Sequence, residues 1–433
     1  MTRDVPARVL DPGPAPGSRD VGPAGDAAAL DPAALRRVVG VLALSQITSW
    51  GCLYYGFAAL QASIAAGTGW SAAQVTGAWS LSQLVSAGVG VWVGRHLDVH
   101  GPRRVMTAGA LLALPGMATV AAAPSLPVFY VGWVTVGAAM AGTLYAPAFA
   151  AITRWAGPHR VRALTAITLA GGLASTVFAP LAAAVDAAAG WRVAFVVLML
   201  LAAAITLPLH WWGLRRPWPA DVDVPRSRRA RAAGVAVAGG GASAAFVALA
   251  AAHALTAFAA YAVVVNLVPM LREQGVDTRT AALVLGLGGV GQVLGRLGYA
   301  RLAAATSVTG RAVVVTGSVA VLTAALAVAP PRTPLVIAVA VALGLARGLY
   351  TLVQATAVSD RWGTTAYGRL SALLHAPALV AGAAAPFAGA LLAQLTGSWE
   401  AAFLVLAVVA GGGAALLPLA RPPDAGRRTP SRP

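Results

Sequence analysis

The chain has 433 residues, of which 58% are hydrophobic and only 10% are charged, and its mean hydropathy is +0.74. An average soluble domain carries about 25% charged residues, so this composition excludes an ordinary soluble protein and predicts a polytopic membrane protein. The formal charge of +17 does not indicate nucleic-acid binding here, because its 31 basic residues, all arginines, follow a membrane pattern.

Twelve apolar stretches predict twelve transmembrane helices, since each is close to the roughly 20 residues that span a bilayer. The runs are continuous, unlike the alternating strands of a membrane barrel, and bilayer helices tolerate the Gly and Pro inside them. In chain order they are 38–62, 73–94, 105–123, 127–149, 164–186, 192–212, 245–269, 280–300, 312–329, 334–357, 371–394 and 401–420.

The arginines predict the orientation of these helices. Twenty-six of the 31 lie in the tails or at the helix ends on one side, and this group includes Arg296 and Arg301. Basic residues in short loops stay on the cytoplasmic side, so both termini are expected to be cytoplasmic. One arginine, Arg347, belongs to neither side and lies near the middle of stretch 334–357.

An Arg- and Pro-containing segment at 213–243 divides the helices into two sets of six. The predicted organisation is a flexible tail (1–34), a helix bundle (35–212), a cytoplasmic linker (213–243), a second bundle (244–421) and a tail (422–433). The two bundles resemble each other at an offset of 207 residues, which pairs Tyr54 with Tyr261, Gly137 with Gly344, Arg154 with Arg361 and Arg162 with Arg369. Such a parallel repeat predicts pseudo-symmetric bundles with a binding site between them at mid-depth.

The loop between the second and third stretches reads GRHLDVHGPRRV, and its notable residues are Gly94, Asp98, Gly101, Arg103 and Arg104. It resembles the loop signature of the major facilitator superfamily in spacing, location and charge pattern. The resemblance covers residues 36–421 and implies transport by alternating access. It also implies that this loop is a gating latch, with Asp98 at the start of the eleventh helix near Arg369. The alternative is that Asp98 and the arginines only mark topology.

Within that family, the chain is most similar to the bacterial monocarboxylate-transporter-like members. The similarity rests on the Gly-Pro-Arg of the loop, the Gly-Trp-Arg before the sixth stretch and the aromatic segment SWGCLYYGF in the first. Drug antiporters of the family carry a Gly-rich motif with Pro in the fifth helix, whereas here Pro180 has alanines at the nearby Gly positions. The resemblance therefore implies an organic anion such as a monocarboxylate as substrate, with efflux of hydrophobic drugs as the alternative.

Arg347 is the main candidate for substrate contact. A central Arg in a membrane helix costs about 2.5–3.5 kcal/mol on insertion scales, so such residues usually face a water-filled cavity or a partner. Tyr350, Thr351 and Gln354 share its helix face. The resemblance implies that the first, fourth, seventh and tenth helices line the central cavity, and Arg347 is in the tenth. We expect it to bind a carboxylate, the alternative being a structural Arg bound to backbone carbonyls.

Further candidates for the substrate site are aromatic side chains and histidines on the other helices of that set and on the eleventh. Trp50 and Tyr54 share one face of the first stretch with Gln46, Phe57 and Gln61. The others are Tyr145, Tyr261, His253 and His375, although isolated buried histidines are more often structural.

The acidic residues limit the mechanism, since no Asp or Glu is predicted at mid-bilayer. A proton-coupled cation antiporter normally needs a buried carboxylate, so an anionic substrate is favoured. Any coupling would then depend on a histidine, on the substrate itself or on a second solute, so a co-transported proton or ion is left open.

The sequence favours neither an enzyme nor an ATP-driven pump. Cys52 is the single cysteine, the six histidines have no metal-ligand spacing, and no phosphate-binding Gly-Lys motif is present. No catalytic residue, metal or cofactor is therefore expected, and a membrane enzyme or a transporter-like sensor is a remote alternative. The expected partners are a small-molecule substrate and the lipid bilayer, without nucleic acid, for a monomer in the bacterial inner membrane.

Overall fold

The computed structural model describes residues 30–218, 244–330, 332–364 and 367–420, which are helical and contain no strand. Ten of the described helices are long and apolar enough to cross a membrane, or eleven if a pair bent by 55° within 367–396 counts as one span. We number them α1 (Pro32–Thr68), α2 (Ala72–Ala122), α3 (Leu126–Trp155), α4 (Gly157–Ala189), α5 (Trp191–Gly213), α6 (Ala244–Glu273), α7 (Thr278–Ala305), α8 (Val308–Val328), α9 (Thr333–Trp362), α10 (Tyr367–Thr396) and α11 (Trp399–Leu416). Most of the predicted tails and linker lies outside the described residues.

The count differs from the predicted twelve because α2 contains two predicted stretches. It runs for 51 residues, more than twice what a bilayer requires. Inside it, Gly101 has a non-helical conformation with φ of 75°, and Pro102 follows. Positive φ is readily adopted by Gly, and Pro removes a helix hydrogen bond, so the chain bends where the sequence predicts a loop. Stretches 73–94 and 105–123 are therefore the two arms of α2.

Most helices extend beyond the predicted stretches. α4 starts at Gly157 rather than near residue 164, and α9 continues to Trp362 rather than ending near residue 357. Charged residues end an apolar run without ending a helix, since Arg is a good helix former. Hydropathy therefore underestimates helix length at the arginine-rich end.

Buried apolar side chains form three clusters that show how residues 30–218 (the first half) meet residues 244–420 (the second half). One cluster contains only residues of the first half, and another contains only residues of the second half. The third combines both and includes Leu35 and Trp155 with Tyr299, Val358 and Leu417. Its members lie toward the helix ends that carry most of the arginines. The two halves are therefore joined at the arginine-rich end.

Helices α7 and α9 pack with their backbones in contact. A Cβ atom on Gly344 would lie 1.9 Å from the carbonyl oxygen of Gly288, and Cβ atoms on Gly291, Gly295 and Gly348 would be almost as close to backbone carbonyls of the facing helix. Small residues of this kind let membrane helices approach closely. Since Arg296 follows Gly295 and Arg347 precedes Gly348, the interlocked helices hold these two arginines at a fixed spacing.

The same kind of contact occurs in the first half. A Cβ atom on Gly137 of α3 would lie 2.3 Å from the carbonyl oxygen of Ser82 in α2. Gly137 is the counterpart of Gly344 in the 207-residue offset. The repeat in the sequence thus corresponds to equivalent close contacts between helices in the two halves.

Candidate functional site

Arg347 lies between the two halves of the molecule. It is in the middle of α9 and is partly exposed. Its charge interacts electrostatically with Tyr261 of α6, Tyr55 of α1 and Arg296 of α7. Tyr261 is 45% exposed. Arg347 therefore lies where side chains of both halves come together.

Near Arg347, the first half contributes a group of aromatic rings. The ring centre of Trp50 lies 4.8 Å from that of Tyr145 and 5.0 Å from that of Tyr54. The rings of Tyr54 and Tyr55 are 5.2 Å apart. Trp79 of α2 extends the group, 5.1 Å from Tyr54. We call these five side chains the aromatic group.

A π-helical segment in α1, Trp50–Tyr55, presents three of these rings. Short π-helical segments inside α-helices change the direction of the side chains that follow and are frequent at functional sites. Here the segment brings Tyr55 into the same region as Trp50 and Tyr54. Sequence reasoning missed Tyr55 because it assumed regular α-helical spacing. By contrast, Gln46 is fully buried and donates to the carbonyl of Thr143.

The aromatic group also contains unused hydrogen-bond donors. The Nε1 atoms of Trp50 and Trp79 and the hydroxyl of Ser49 are buried without a partner among the described residues. An indole N–H can only donate, so the group these atoms lack is an acceptor, such as a ligand oxygen. Buried donors usually have partners. The indole N–H groups of Trp133 and Trp362 are also unpartnered in the described residues, so what distinguishes Trp50 and Trp79 is that both belong to one aromatic group.

Arg296 is a second buried cation at the site. It lies nine residues before the end of α7 and is 5% exposed. Its Nη1 donates to the carbonyl oxygen of Thr168 in α4, so it joins the two halves, and its Nε has no partner in the described structure. Gly172 leaves room for this guanidinium, since a Cβ atom there would lie 2.4 Å from Nη1. The charge of Arg296 also interacts with Tyr145 and Tyr55.

The sequence places Arg296 among the arginines of the inner side, near the end of stretch 280–300. The structure corrects this, because α7 continues through Arg301 to Ala305 and so leaves Arg296 in the interior. In the sequence, only the length of the apolar stretch indicated how deep Arg296 lies. The two central arginines are also unneutralised in the described residues, where the ion pairs of the structure involve Asp98 and Asp360 instead.

Four of the predicted substrate residues form a separate group: Tyr350, Gln354, His253 and His375. Tyr350 is 6% exposed and its hydroxyl donates to the carbonyl oxygen of His253, 2.9 Å away. Gln354 Nε2 donates to the Tyr350 hydroxyl at 3.0 Å. The ring centres of His253 and His375 are 6.5 Å apart. The structure thus brings Arg347 and Tyr261 close to the rings of Trp50, Tyr54 and Tyr145. It packs the other four predicted residues between α6, α9 and α10.

At the arginine-rich end, Asp98 of α2 contacts the first residues of α10. Its Oδ1 accepts from the Gly368 amide at 2.8 Å and its Oδ2 accepts from the Arg369 amide at 2.9 Å. A helix N-terminus has unpaired N–H groups and a positive dipole end, so it favours a carboxylate. Arg154 approaches the same carboxylate at 3.4 Å. Gly94 allows the contact, since a Cβ atom there would lie 2.4 Å from the Gly368 carbonyl oxygen.

The other residues of the loop motif shape the bend in α2. Gly101 supplies the positive φ and packs against Trp218, whose Cγ would lie 2.8 Å from a Cβ atom at Gly101. Arg103 donates from Nε to the carbonyl oxygen of Trp211 at 2.8 Å and lies over its ring. Arg104 is exposed. Arg103 therefore fixes the second arm of α2 to the end of α5.

Asp360 makes a second connection between the halves, which sequence reasoning missed. It accepts from Arg160 of α4 at 2.6 Å, and it also pairs with Arg311 of α8. A cavity of about 480 Å³ lies beside these residues at the same end. Together with the contacts of Asp98, the contacts of Asp360 join the two halves at the arginine-rich end. The signal in the sequence was only that Asp360 is next to Arg361, the counterpart of Arg154.

At the opposite end, the polar contacts among the described residues stay within one half. The Trp399 amide donates to Glu273 at 2.8 Å within the second half, and Ser63 donates to Asp186 within the first. The apolar clusters toward this end are also separate. In the described residues, the polar contacts that join the two halves near their ends therefore lie at the arginine-rich end.

The chain resembles known proteins in both sequence and structure. A profile of the Major Facilitator Superfamily matches residues 41–223 and 248–433. No curated protein gives a significant match. The human organic anion transporter MFSD10 (TETRAN) has a similar structure, with a TM-score of 0.71 and 16% identity over 90% of this chain and 100% of its own.

Two structures of the transporter FucP are also similar. One, in the outward conformation, has a TM-score of 0.70 and 13% identity over 89% of this chain and 99% of its own. The other, a variant of the E. coli fucose:proton symporter, has a TM-score of 0.65 and 13% identity over 90% of this chain and 98% of its own. At these identities, the likeness concerns the fold.

Proposed function

The chain belongs to the major facilitator superfamily of membrane transporters, and we propose that it moves a small organic anion, such as a monocarboxylate, by alternating access. Counting the two arms of α2 separately gives twelve spans in two six-helix bundles, residues 35–212 and 244–421. The positive-inside rule supports cytoplasmic termini. The protein would then work as a monomer in the bacterial inner membrane.

The observation that carries the proposal is the pair of central arginines without a neutralising acid. Arg347 and Arg296 interact with each other electrostatically, and no ion pair of the described residues includes either one. Unpaired cations away from bulk water favour an anionic partner, and a guanidinium matches a carboxylate in geometry. A cationic substrate would meet repulsion at this place.

The aromatic group supports an organic anion over an inorganic one. Rings of Trp and Tyr provide apolar area for the carbon part of a substrate. The unpartnered Nε1 atoms of Trp50 and Trp79 can donate to its oxygen atoms. A similar fold is found in MFSD10, a human organic anion transporter. The same rings also suit hydrophobic drugs, which keeps drug efflux as the second candidate.

The contacts of Asp98 and Asp360 support a gate at the inner side. Both carboxylates join the halves at the arginine-rich end, where the combined apolar cluster also lies. We assign the latch to Gly94, Asp98, Gly101, Arg103 and Arg104. In this arrangement the central site is reached from the outer side, and opening the latch would release the substrate inward or admit it from within.

A binding screen on the purified protein tests the substrate class. The probes are pyruvate, phenylpyruvate, fucose and the lipophilic cation tetraphenylphosphonium, with thermal stability as the readout. We expect a carboxylate to raise the melting temperature, because a ligand that binds only the folded state stabilises it. The effect should disappear in Arg347→Ala and remain in Arg301→Ala, which removes an exposed arginine of α7.

Two outcomes would contradict the proposal. Stabilisation only by tetraphenylphosphonium would favour drug efflux. Stabilisation by a carboxylate that persists in correctly folded Arg347→Ala, together with unchanged uptake, would remove Arg347 from the site.

A further inference from the structure

Trp218 packs against the loop motif at the arginine-rich end of the first half. It is the fifth residue after the end of α5 and is partly exposed. Its ring occupies the space beside Gly101, where a side chain is missing, and its Nε1 donates to the main-chain carbonyl oxygen of Asp98 at 3.2 Å. These contacts belong neither to the substrate site nor to the contact between Asp98 and α10, so they need a separate explanation.

The hydrogen bond to the Asp98 carbonyl replaces one that the bend in α2 removes. In a continuous helix, this carbonyl oxygen would accept from the amide of residue 102. Residue 102 is Pro, which has no amide hydrogen, and the helix is interrupted at Gly101. Asp98 is only 5% exposed, and a buried carbonyl normally has a donor. The indole of Trp218 therefore supplies the donor that Pro102 cannot provide.

Trp218 also contacts the arginine that approaches the Asp98 carboxylate. The guanidinium carbon of Arg154 lies 5.0 Å from the centre of the Trp218 ring, within the range of a cation–π interaction. The same guanidinium is 3.4 Å from the Asp98 carboxylate. One indole thus contacts both the main chain of Asp98 and the arginine beside its side chain.

The position of Trp218 is fixed by Trp155, the residue after Arg154. Trp155 is 1% exposed, and its Nε1 donates to the carbonyl oxygen of Pro217 at 3.0 Å. The rings of Trp155 and Trp218 meet edge to face, with centres 5.6 Å apart and planes at 86°. Leu214 is also 1% exposed and belongs to the apolar cluster that both halves share. Residues 214–218 are therefore attached to the first half at several points.

The repeat in the sequence gives an internal comparison. At the offset of 207 residues, Ala305 is the counterpart of Asp98, and Ala425 is the counterpart of Trp218. The half without the latch acid therefore also lacks the indole at the equivalent position. This supports a role of Trp218 that is tied to Asp98 rather than to helix packing that both halves have in common.

We propose that Trp218 is a positioning residue of the inner gate and holds Asp98 and Arg154 in the arrangement that caps α10. The inference rests on the gating role proposed for Asp98 and extends it to the segment that leaves the first half. The contacts of Trp218 given above all lie within the first half. Trp218 therefore keeps the latch formed on that half while α10 is away, and so favours the inner-closed state when the halves meet.

Pulsed EPR on the purified full-length protein tests this without any substrate. Spin labels at His159→Cys and Ala304→Cys report the distance between the inner ends of α4 and α7, one in each half. Both positions are exposed. The background carries Cys52→Ala, which removes the single cysteine of the sequence. We expect the shorter of two distances, the inner-closed one, to predominate when Trp218 and Asp98 are intact.

The variants of Trp218 separate its ring from its N–H group. Trp218→Phe keeps a ring beside Gly101 but removes the donor to Asp98, which should lower the ratio of short to long distances about fivefold. Trp218→Ala removes the ring as well and should lower the ratio by about tenfold or more. Trp212→Phe is the matched control, because that ring is 60% exposed at the end of α5, and it should leave the ratio unchanged.

Combination with Asp98→Asn distinguishes positioning from general packing. If Trp218 acts through Asp98, Trp218→Phe should have a much smaller effect once Asp98→Asn is present, because the effects of coupled residues do not add. Phenylpyruvate binding, measured by thermal shift, should be retained in the Trp218 variants while net uptake into proteoliposomes falls. A general loss of stability would lower both.

The outcomes separate this inference from the proposed gate. A distance shift in Asp98→Asn but not in Trp218→Phe or Trp218→Ala overturns the role of Trp218 and leaves the latch. An equal effect of Trp218→Phe with and without Asp98→Asn overturns it as well, since Trp218 would then act through packing alone. No shift in Asp98→Asn contradicts the gate itself. Should Trp218→Ala not fold, Trp218→Phe gives the decisive comparison.

Discussion

The carboxylate of Asp98 caps the helix that begins at Tyr367, by accepting from the Gly368 amide across the boundary between the two halves of the protein. Oδ1 accepts from the Gly368 amide at 2.8 Å, and a Cβ atom at Gly368 would lie 2.9 Å from the same oxygen. The contact therefore depends on a negative charge on one side and on the absence of a side chain on the other. It links an acid of the first half to a residue 270 positions later in the sequence.

Replacing Asp98 by Asn tests this contact as a gate. Asn keeps an acceptor oxygen but loses the charge, and a hydrogen bond to a charged group contributes about 1.5–3 kcal/mol. We expect the inner-closed state to be weakened and net uptake to fall by about tenfold or more, while carboxylate binding is retained. Uptake into proteoliposomes and thermal shift give the two readouts.

The control for that variant is Glu400→Gln, an exposed acid at the opposite end of the molecule. It should leave both uptake and binding unchanged. Equal loss of binding and uptake in Asp98→Asn would mean that the residue supports the substrate site rather than the gate.

Gly344→Ala tests the backbone contact between α7 and α9. The added methyl group would overlap the carbonyl oxygen of Gly288, and overpacking of this kind costs about 1–3 kcal/mol. We expect a lower melting temperature and weaker carboxylate binding, because the helices that carry Arg296 and Arg347 must separate. Gly289→Ala is the matched control on α7, since its Cβ atom would meet open space. Unchanged binding in Gly344→Ala would show that the spacing of the arginines is not critical.

Trp50→Phe tests the free indole donor of the aromatic group. Phe keeps an aromatic ring but removes the N–H, and a hydrogen bond of this type contributes about 1 kcal/mol, or about fivefold in affinity. We expect weaker carboxylate binding. The smaller ring lowers the melting temperature of the empty protein only through lost packing, because Nε1 has no protein partner to lose. Trp92→Phe, at an exposed position of α2, should have no effect. An unaltered affinity in Trp50→Phe would place the carboxylate elsewhere.

The sequence was most informative where the cause of a feature is local. Hydropathy and arginine position depend on short segments, and they located the membrane helices and both arms of α2. The spacing of Gly94, Asp98 and Gly101 indicated a family through a loop of a dozen residues. These features need no knowledge of which helices become neighbours, so they can be read before the fold is known.

Features that depend on neighbours or on irregular geometry were harder to predict. Tyr350 shares a helix face with Arg347, but that face is filled by α6, so its hydroxyl bonds to His253 instead of entering the cavity. Tyr55 was missed because the segment Trp50–Tyr55 is π-helical. Arg296 was assigned to a helix end because an apolar run stops earlier than the helix that contains it.

The interlocked glycines of α7 and α9 also have a consequence for how an anion leaves. Arg296 and Arg347 stand on helices that cannot slide apart without breaking several backbone contacts, so the two charges travel together during transport. An anion bound by both arginines is therefore not released by separation of the two arginines. We expect instead that the aromatic rings of the first half move away. Water that enters from the side opposite the latch then hydrates the carboxylate and releases it.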